Sequence, residues 1–198
     1  MEVKNIATKN KNKVAEIRDK LASLPGLELL SLLDYPDMPA IEETGTSFEE
    51  NAVIKAKEVC TFTGLPALAD DSGLVVDALG GEPGVYSARY AGERASDRDR
   101  YLLLLRNMEK IPPENRTARF VCAIAVALPG GTVHTTEANC EGVILSHEQG
   151  TGGFGYDPVF YLPRMGKTMA ELTMAEKNTL SHRALALAKA ARLLRDLG

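Results

Sequence analysis

The sequence predicts an α/β fold in which a mixed β-sheet is flanked by helices. Three observations point there. Short apolar runs of strand length alternate with segments of helical periodicity. A turn signal, Pro129-Gly130-Gly131, joins two β-rich stretches, which adds a hairpin to the parallel pairing that strand and helix alternation favours. A length of 198 residues, 44% hydrophobic and 25% charged, suits one globular domain with a substantial core.

In chain order, Val3–Ala7 reads as a short strand, followed by the polar loop Thr8–Lys13. Apolar residues then recur at Val14, Ile17, Leu21 and Leu24, the spacing of a helix, which Pro25-Gly26 ends. Ser47 with Glu50 three residues on is a capping box for a second helix, with Phe48, Ala52, Ala56, Val59 and Cys60 on its apolar face. Asn51 and Lys55, four apart, are expected on the opposite, accessible side. The apolar runs Leu65–Ala69 and Leu74–Leu79 flank an acidic segment, Asp70-Asp71-Ser72-Gly73, whose composition predicts a turn. Ser96 opens a helix through Asn107, stopped before Pro112-Pro113. Thr117–Leu128 and Thr132–Leu145 form the hairpin. After a loop at Gly150–Tyr156, Pro158–Leu162 reads as another strand, and Thr173-x-x-Glu176 caps a final helix to about Leu197. No repeat, linker or low-complexity segment divides the chain, so residues 1–198 are expected to form a single domain.

Net charge −4 argues against broad coating of a nucleic-acid polymer, while leaving room for a locally basic pocket. Cys60, Cys122 and Cys140 are odd in number and lack CxxC spacing, which reads as reduced thiols. No stretch approaches membrane-spanning length and Met1–Ile6 lacks the apolar region of a signal peptide. Cytoplasmic localisation with no membrane partner is the expectation.

Several segments point to phosphate chemistry. The loop Thr8, Lys9, Asn10, Lys11, Asn12, Lys13 stands at a helix N-terminus, where free amides and the helix dipole favour an anion. It is not a Walker A loop, since it contains no glycine. Asp70 and Asp71 at the end of an apolar run make poor core but good ligands for a hard cation such as Mg²⁺, which shares itself with phosphates. Glu42 and Glu43 are candidates for the same ion. The glycines of Gly152-Gly153-Phe154-Gly155-Tyr156-Asp157-Pro158 leave an aromatic ring uncovered, able to stack a base. The alternative is a loop with Phe154 and Tyr156 tucked into the core. Ser181-His182-Arg183 lies beside an apolar helix face.

In combination these segments resemble one family. The blocks are Thr8-x-Asn10-x-x-Lys13; Glu42-Glu43-Thr44-Gly45 with Phe48-x-Glu50-Asn51-Ala52-x-x-Lys55-Ala56; Ala69-Asp70-Asp71-Ser72-Gly73-Leu74; and Gly80-Gly81-x-Pro83-Gly84-x-Tyr86-Ser87-Ala88-Arg89. Gly150-Thr151-Gly152-Gly153-Phe154-Gly155-Tyr156-Asp157-Pro158-x-Phe160 and Glu171-Leu172-x-x-x-Glu176-Lys177-x-x-x-Ser181-His182-Arg183 complete them. They resemble the Ham1-type inosine triphosphate pyrophosphatases, from Ile6 to about Arg183, with no departure at a motif position.

The resemblance implies a long mixed sheet in two lobes around an active-site cleft, a homodimer, and Mg²⁺-dependent hydrolysis of ITP, dITP and XTP to the monophosphate and pyrophosphate. By motif it implies that Thr8, Asn10, Lys13 and Lys55 hold phosphate and that Glu43, Asp70 and Asp71 bind the metal. Asp71 would be the base for the attacking water, with Ser72 beside the substrate. Phe154 would stack on the purine in the segment with Gly155 and Tyr156, and Asp157, Lys177, His182 and Arg183 would line the base pocket. A donor aimed at purine O6 favours a keto group over an amino group, which rejects ATP but not GTP. Two other readings compete: a Maf-type pyrophosphatase of similar architecture with other nucleotide preferences, and a non-catalytic nucleotide sensor.

Overall fold

A computed structural model describes residues 2–22 and 27–196. The expected helix position at Leu24, the Pro25-Gly26 stop and the helix end near Leu197 lie outside the described residues. Among the described residues seven strands, β1 (Glu2–Ile6), β2 (Leu27–Ser31), β3 (Ala67–Val76), β4 (Thr117–Ala127), β5 (Val133–Ile144), β6 (Phe160–Leu162) and β7 (Lys167–Thr168), form one open sheet in the order β2-β1-β3-β4-β5-β6-β7. β1 pairs parallel with β2 and β3, whereas β6 pairs antiparallel with β5 and β7, so the sheet is mixed as expected. The helices are α1 (Lys11–Leu21), α2 (Phe48–Thr63), α3 (Asp97–Asn107), α4 (Met174–Leu180) and α5 (His182–Asp196).

The chain forms two compact units. The first comprises residues 1–71, 122–138 and 182–198; the second comprises residues 72–121 and 139–181. In the first unit β3 and β4 are buried on both sides, and residue size sorts the two faces. Leu68, Cys122, Ile124 and Val126 pack with Val14, Ile17 and Leu21 of α1 and Ala186, Leu187, Ala190 and Leu194 of α5. The alternate positions, Ala67, Ala69, Ala123, Ala125 and Ala127, pack with Ala52, Ala56, Val59 and Cys60 of α2. This is strand alternation at period two, with small residues admitting α2 close to the sheet. In the second unit, Leu74, Val76, Leu104, Met108, Phe120, Tyr156 and Phe160 share a separate core. There the buried Arg116 donates to four carbonyls, those of Ile144 (2.8 Å), Leu145 (2.8 Å), Met108 (3.1 Å) and Ile111 (3.3 Å).

Local signals set several helix starts. Ser47, Ser96 and Thr173 each accept from the amide three residues on, with Glu50, Asp99 and Glu176 closing the capping boxes. Gly64 ends α2 at φ 71°, a left-handed conformation that glycine adopts without strain. Three expectations are corrected. The Asp70–Gly73 segment is not a turn but the middle of ten-residue β3. Asn51 and Lys55 are buried, not on an accessible face. The last helix is two, because Ser181 takes an extended conformation (φ −68°, ψ 150°) between α4 and α5.

Candidate active site

The aspartates of β3 are fully or largely buried, and the pleat sends consecutive side chains to opposite faces. Asp70 follows Leu68 onto the face covered by α1 and α5. Its Oδ2 accepts from Arg183 Nε (3.2 Å) and Nη2 (3.1 Å) and lies 3.0 Å from Lys13 Nζ. Arg183 Nη1 in turn donates to Glu16 of α1 at 2.5 Å. Burial alone would raise the Asp70 carboxyl, but Lys13, Arg183 and Lys55 hold it well below the ordinary carboxylate range. Burial likewise opposes the Arg183 charge, and Asp70 and Glu16 more than restore it.

Asp71 follows Ala69 onto the face covered by α2. Its Oδ1 accepts from Lys55 Nζ at 2.7 Å, and Asn51 Nδ2 lies 3.5 Å from Oδ2. The same Lys55 Nζ is 3.0 Å from Glu43 Oε1, so two carboxylates converge on one ammonium. Asn51 also steadies the approach to Glu43, since its Oδ1 accepts from Gly45 N–H at 2.8 Å. A side chain at Gly45 would meet Asn51 Oδ1 and Glu50 Cβ, each at 2.7 Å, so this close approach needs glycine. Burial pushes the Asp71 carboxyl up despite Lys55 and Lys13. Burial lowers Lys55, yet Asp71, Asp70 and Glu43 bring it above its ordinary value. Asp71 is thus a carboxyl of raised basicity held against the Lys55 amine.

At the start of α1, Asn10 Oδ1 accepts from the amides of Asn12 (3.0 Å) and Lys13 (3.2 Å), and Thr8 Oγ1 accepts from Asn10 N–H (3.2 Å). Asn10 is therefore the helix cap. Lys9, Lys11 and Asn12 are exposed, and Lys13 turns inward to Asp70.

In the second unit the glycine loop is tied down around Phe154. Asp157 Oδ2 accepts from Phe154 N–H (3.0 Å) and from Lys177 Nζ (2.7 Å). That ammonium stands 5.3 Å from the centre of the half-buried Phe154 ring, a cation–π contact. Gly155 N–H donates to Asp97 Oδ2 at 2.7 Å. Gly153, at φ 71°, lies so close to the Asp157 carboxylate that no side chain fits there. Tyr156 is buried and donates its hydroxyl to Ser87 O at 2.8 Å.

The sequence profile of the Ham1 family matches residues 5–193. The chain belongs to the Ham1 family. It is 57% identical over 184 residues to a protein of Geobacillus kaustophilus named dITP/XTP pyrophosphatase, covering 93% of this chain and 90% of that one. It is 56% identical over 191 residues to a protein of the same name in Geobacter sulfurreducens, covering 96% and 94%. Among solved structures, a HAM1 protein from Coxiella burnetii superposes with TM-score 0.90 at 40% identity, covering 99% of this chain and all of that one. The Ham1 protein of Staphylococcus aureus gives 0.88 at 36% identity, with both chains fully covered.

Of the residues that Ham1 motifs single out, the structure brings Glu43, Lys55 and Asp71 together, and separately Lys13, Asp70 and Arg183. It brings Phe154, Asp157 and Lys177 together in the second unit. Glu43, half-buried on Lys55, is distinguished from its exposed neighbour Glu42. Ser72 follows Asp71 in β3 and is half-buried. His182, buried, opens α5. Tyr156 packs its ring into the core of the second unit and donates its hydroxyl to Ser87. Sequence reasoning missed Glu16, whose only signal is its place three residues after Lys13 on one helix face, and it missed Asn51 and Asp97 as buried or loop-holding acceptors and donors.

Proposed function

We propose that this protein hydrolyses the non-standard purine nucleotides ITP, dITP and XTP to the monophosphate and pyrophosphate, removing them before they enter DNA or RNA. The observation that carries the reading is the convergence of Asp71 and Glu43 on Lys55. The relatives' shared name supports the substrate class.

Mg²⁺ is proposed as cofactor, held by Asp71 and Glu43. Among the described residues no group of three or more His, Cys, Asp or Glu stands ready to hold a metal by itself. The fit therefore rests on donor chemistry: two hard carboxylates that meet at one point match an ion that takes one or two carboxylates and fills its shell with water and phosphate oxygen. When bound, the ion supplies positive charge against the phosphate oxygens and acidifies water. Asp70, also expected as a ligand, faces Arg183 and Lys13.

Asp71, held at one oxygen by Lys55, is the group proposed to accept the proton of the attacking water. Lys55 and Lys13 stabilise charge on the phosphates, which favours pyrophosphate as the leaving group. Phe154 stacks on the purine, in a loop whose polar groups Asp157 and Lys177 are already paired. His182 and Arg183 are proposed for the keto preference. The Arg183 guanidinium meets Asp70 and Glu16, so addressing purine O6 exchanges one of those partners for the base. We also propose a homodimer acting in the cytoplasm; among the described residues no helix is long and apolar enough to cross a membrane.

Incubation with ITP and Mg²⁺ should release IMP and pyrophosphate in equal amounts. IDP and orthophosphate as primary products would place the cleavage elsewhere and overturn the reading.

A further inference from the structure

Asp97 opens α3 directly after the cap Ser96, with its side chain 46% exposed. A carboxylate there favours the helix dipole, and the sequence suggests nothing more. The structure shows its two oxygens doing different things. Oδ1 takes Arg100 Nη1 at 2.6 Å, one turn on in the same helix. Arg100 is largely buried, at 17% side-chain exposure, so it fixes the carboxylate's direction. Oδ2 reaches 58 residues along the chain to Gly155 N–H at 2.7 Å.

Gly155 sits at φ 63°, a left-handed conformation outside any strand or helix. Its amide has no ladder partner of the kind regular structure gives, and the Asp97 carboxylate supplies a charge-assisted acceptor. One residue earlier, Phe154 N–H is held by Asp157. The amides on both sides of the Phe154 α-carbon are therefore gripped by carboxylates, one from within the loop and one from α3. A ring fixed in this way loses little freedom on binding a flat partner, which removes part of the ordering cost of association.

We propose that Asp97 is a positioning residue for base recognition: by holding Gly155 N–H, with Arg100 as its own support, it presents the Phe154 ring pre-ordered to the purine. This rests on the assignment of Phe154 to the base. Asp97 itself does not touch the nucleotide.

The test compares wild type with Asp97→Ala, Asp97→Asn and Ser96→Ala. IMP affinity is measured by calorimetry, kcat and KM with ITP, melting temperature, and Gly155 amide exchange by NMR. Asp97→Ala should weaken IMP binding about tenfold, the size of one lost charge-assisted hydrogen bond, and speed Gly155 exchange. It should raise KM for ITP by a similar factor while leaving kcat within about twofold, because orientation of the base and not the phosphate chemistry is disturbed. Asp97→Asn keeps an acceptor oxygen and should recover most of the affinity. Ser96→Ala removes the cap of the same helix, so it should lower the melting temperature without moving IMP affinity. Unchanged IMP affinity in Asp97→Ala overturns the proposal alone, as does an equal loss in Ser96→Ala. Wild-type protein that binds no IMP overturns the assignment of Phe154 and the proposal with it.

Discussion

Replacing Asp71 by Asn separates catalysis from folding more cleanly than any other change at this site. The side chain keeps its shape, its acceptor oxygen and its neighbour Asn51, but loses the charge and most of the basicity. Lys55 would then lose one of two anionic partners and keep the other, Glu43 at 3.0 Å. Orphaning a buried charge costs about 3–5 kcal/mol. Because Glu43 remains and a neutral amide escapes the burial cost of the carboxylate, stability should change by no more than about 1 kcal/mol, a shift in melting temperature of no more than about 4 °C for a chain of this length. The effect on the chemical step should be much larger. Loss of a positioned base costs a factor of about 10²–10⁴, which is about 2.7–5.5 kcal/mol of barrier. The assay is pyrophosphate release from ITP with Mg²⁺ at saturating substrate, beside a thermal melt of the same preparation. A folded variant that keeps more than about a third of wild-type kcat, far short of that range, removes Asp71 from the role of base.

Two further changes probe the fold. Arg116→Ala should lower the unfolding free energy by about 2–4 kcal/mol in a urea titration, because the four carbonyls it serves lose a buried donor; an unmoved midpoint would show that water replaces it at no cost. The Glu176 carboxyl is held down to about 2, first by Lys167 and then by the Thr173 backbone and hydroxyl, against an ordinary value of 4.5. A depressed carboxyl contributes stability that is complete above its unfolded value and lost as pH falls toward its folded one. Glu176→Gln should therefore flatten the decline in stability between pH 4.5 and about 2, and a variant with the wild-type slope would place that dependence on other groups.

The parts of this molecule legible in its sequence are those with a local cause. A Ser or Thr three residues before an acid writes a helix start within four positions, and α2, α3 and α4 begin where those patterns stand. The hairpin between β4 and β5 is written in Pro129-Gly130-Gly131 in the same way, closed by Leu128 N–H to Thr132 O. The acidic dipeptide was not legible as structure. Asp, Ser and Gly favour turns, and only cations delivered by α1, α2 and α5 let that segment stay a buried strand. The same cause hides Asn51 and Lys55. Helical periodicity marks where apolar residues lie, and nothing near Lys55 announces a carboxylate 16 residues on. The Glu16–Arg183 pair spans 167 residues and the Tyr156–Ser87 bond 69, separations that no local pattern encodes.

Strand geometry gives the two aspartates different surroundings. Adjacent residues of β3 cannot point the same way, so Asp70 and Asp71 do not form one two-carboxylate claw. Asp70 points toward the face of large side chains, where two helices must stand off from the sheet; long partners bridge that distance, Arg183 from α5 and Lys13 from α1. With two cations against it and no exposure, Asp70 is fixed as an anion and unsuited to take up a proton. Asp71 points toward the alanine face, where α2 approaches closely enough for Lys55 to meet it at 2.7 Å. One cation shared with Glu43 balances Asp71 incompletely, and burial raises its basicity. The alanines of β3 and β4 thus set the Lys55–Asp71 contact through spacing. Enlarging Ala69 or Ala125 would push α2 outward and stretch the Lys55 contact without altering any residue that touches substrate.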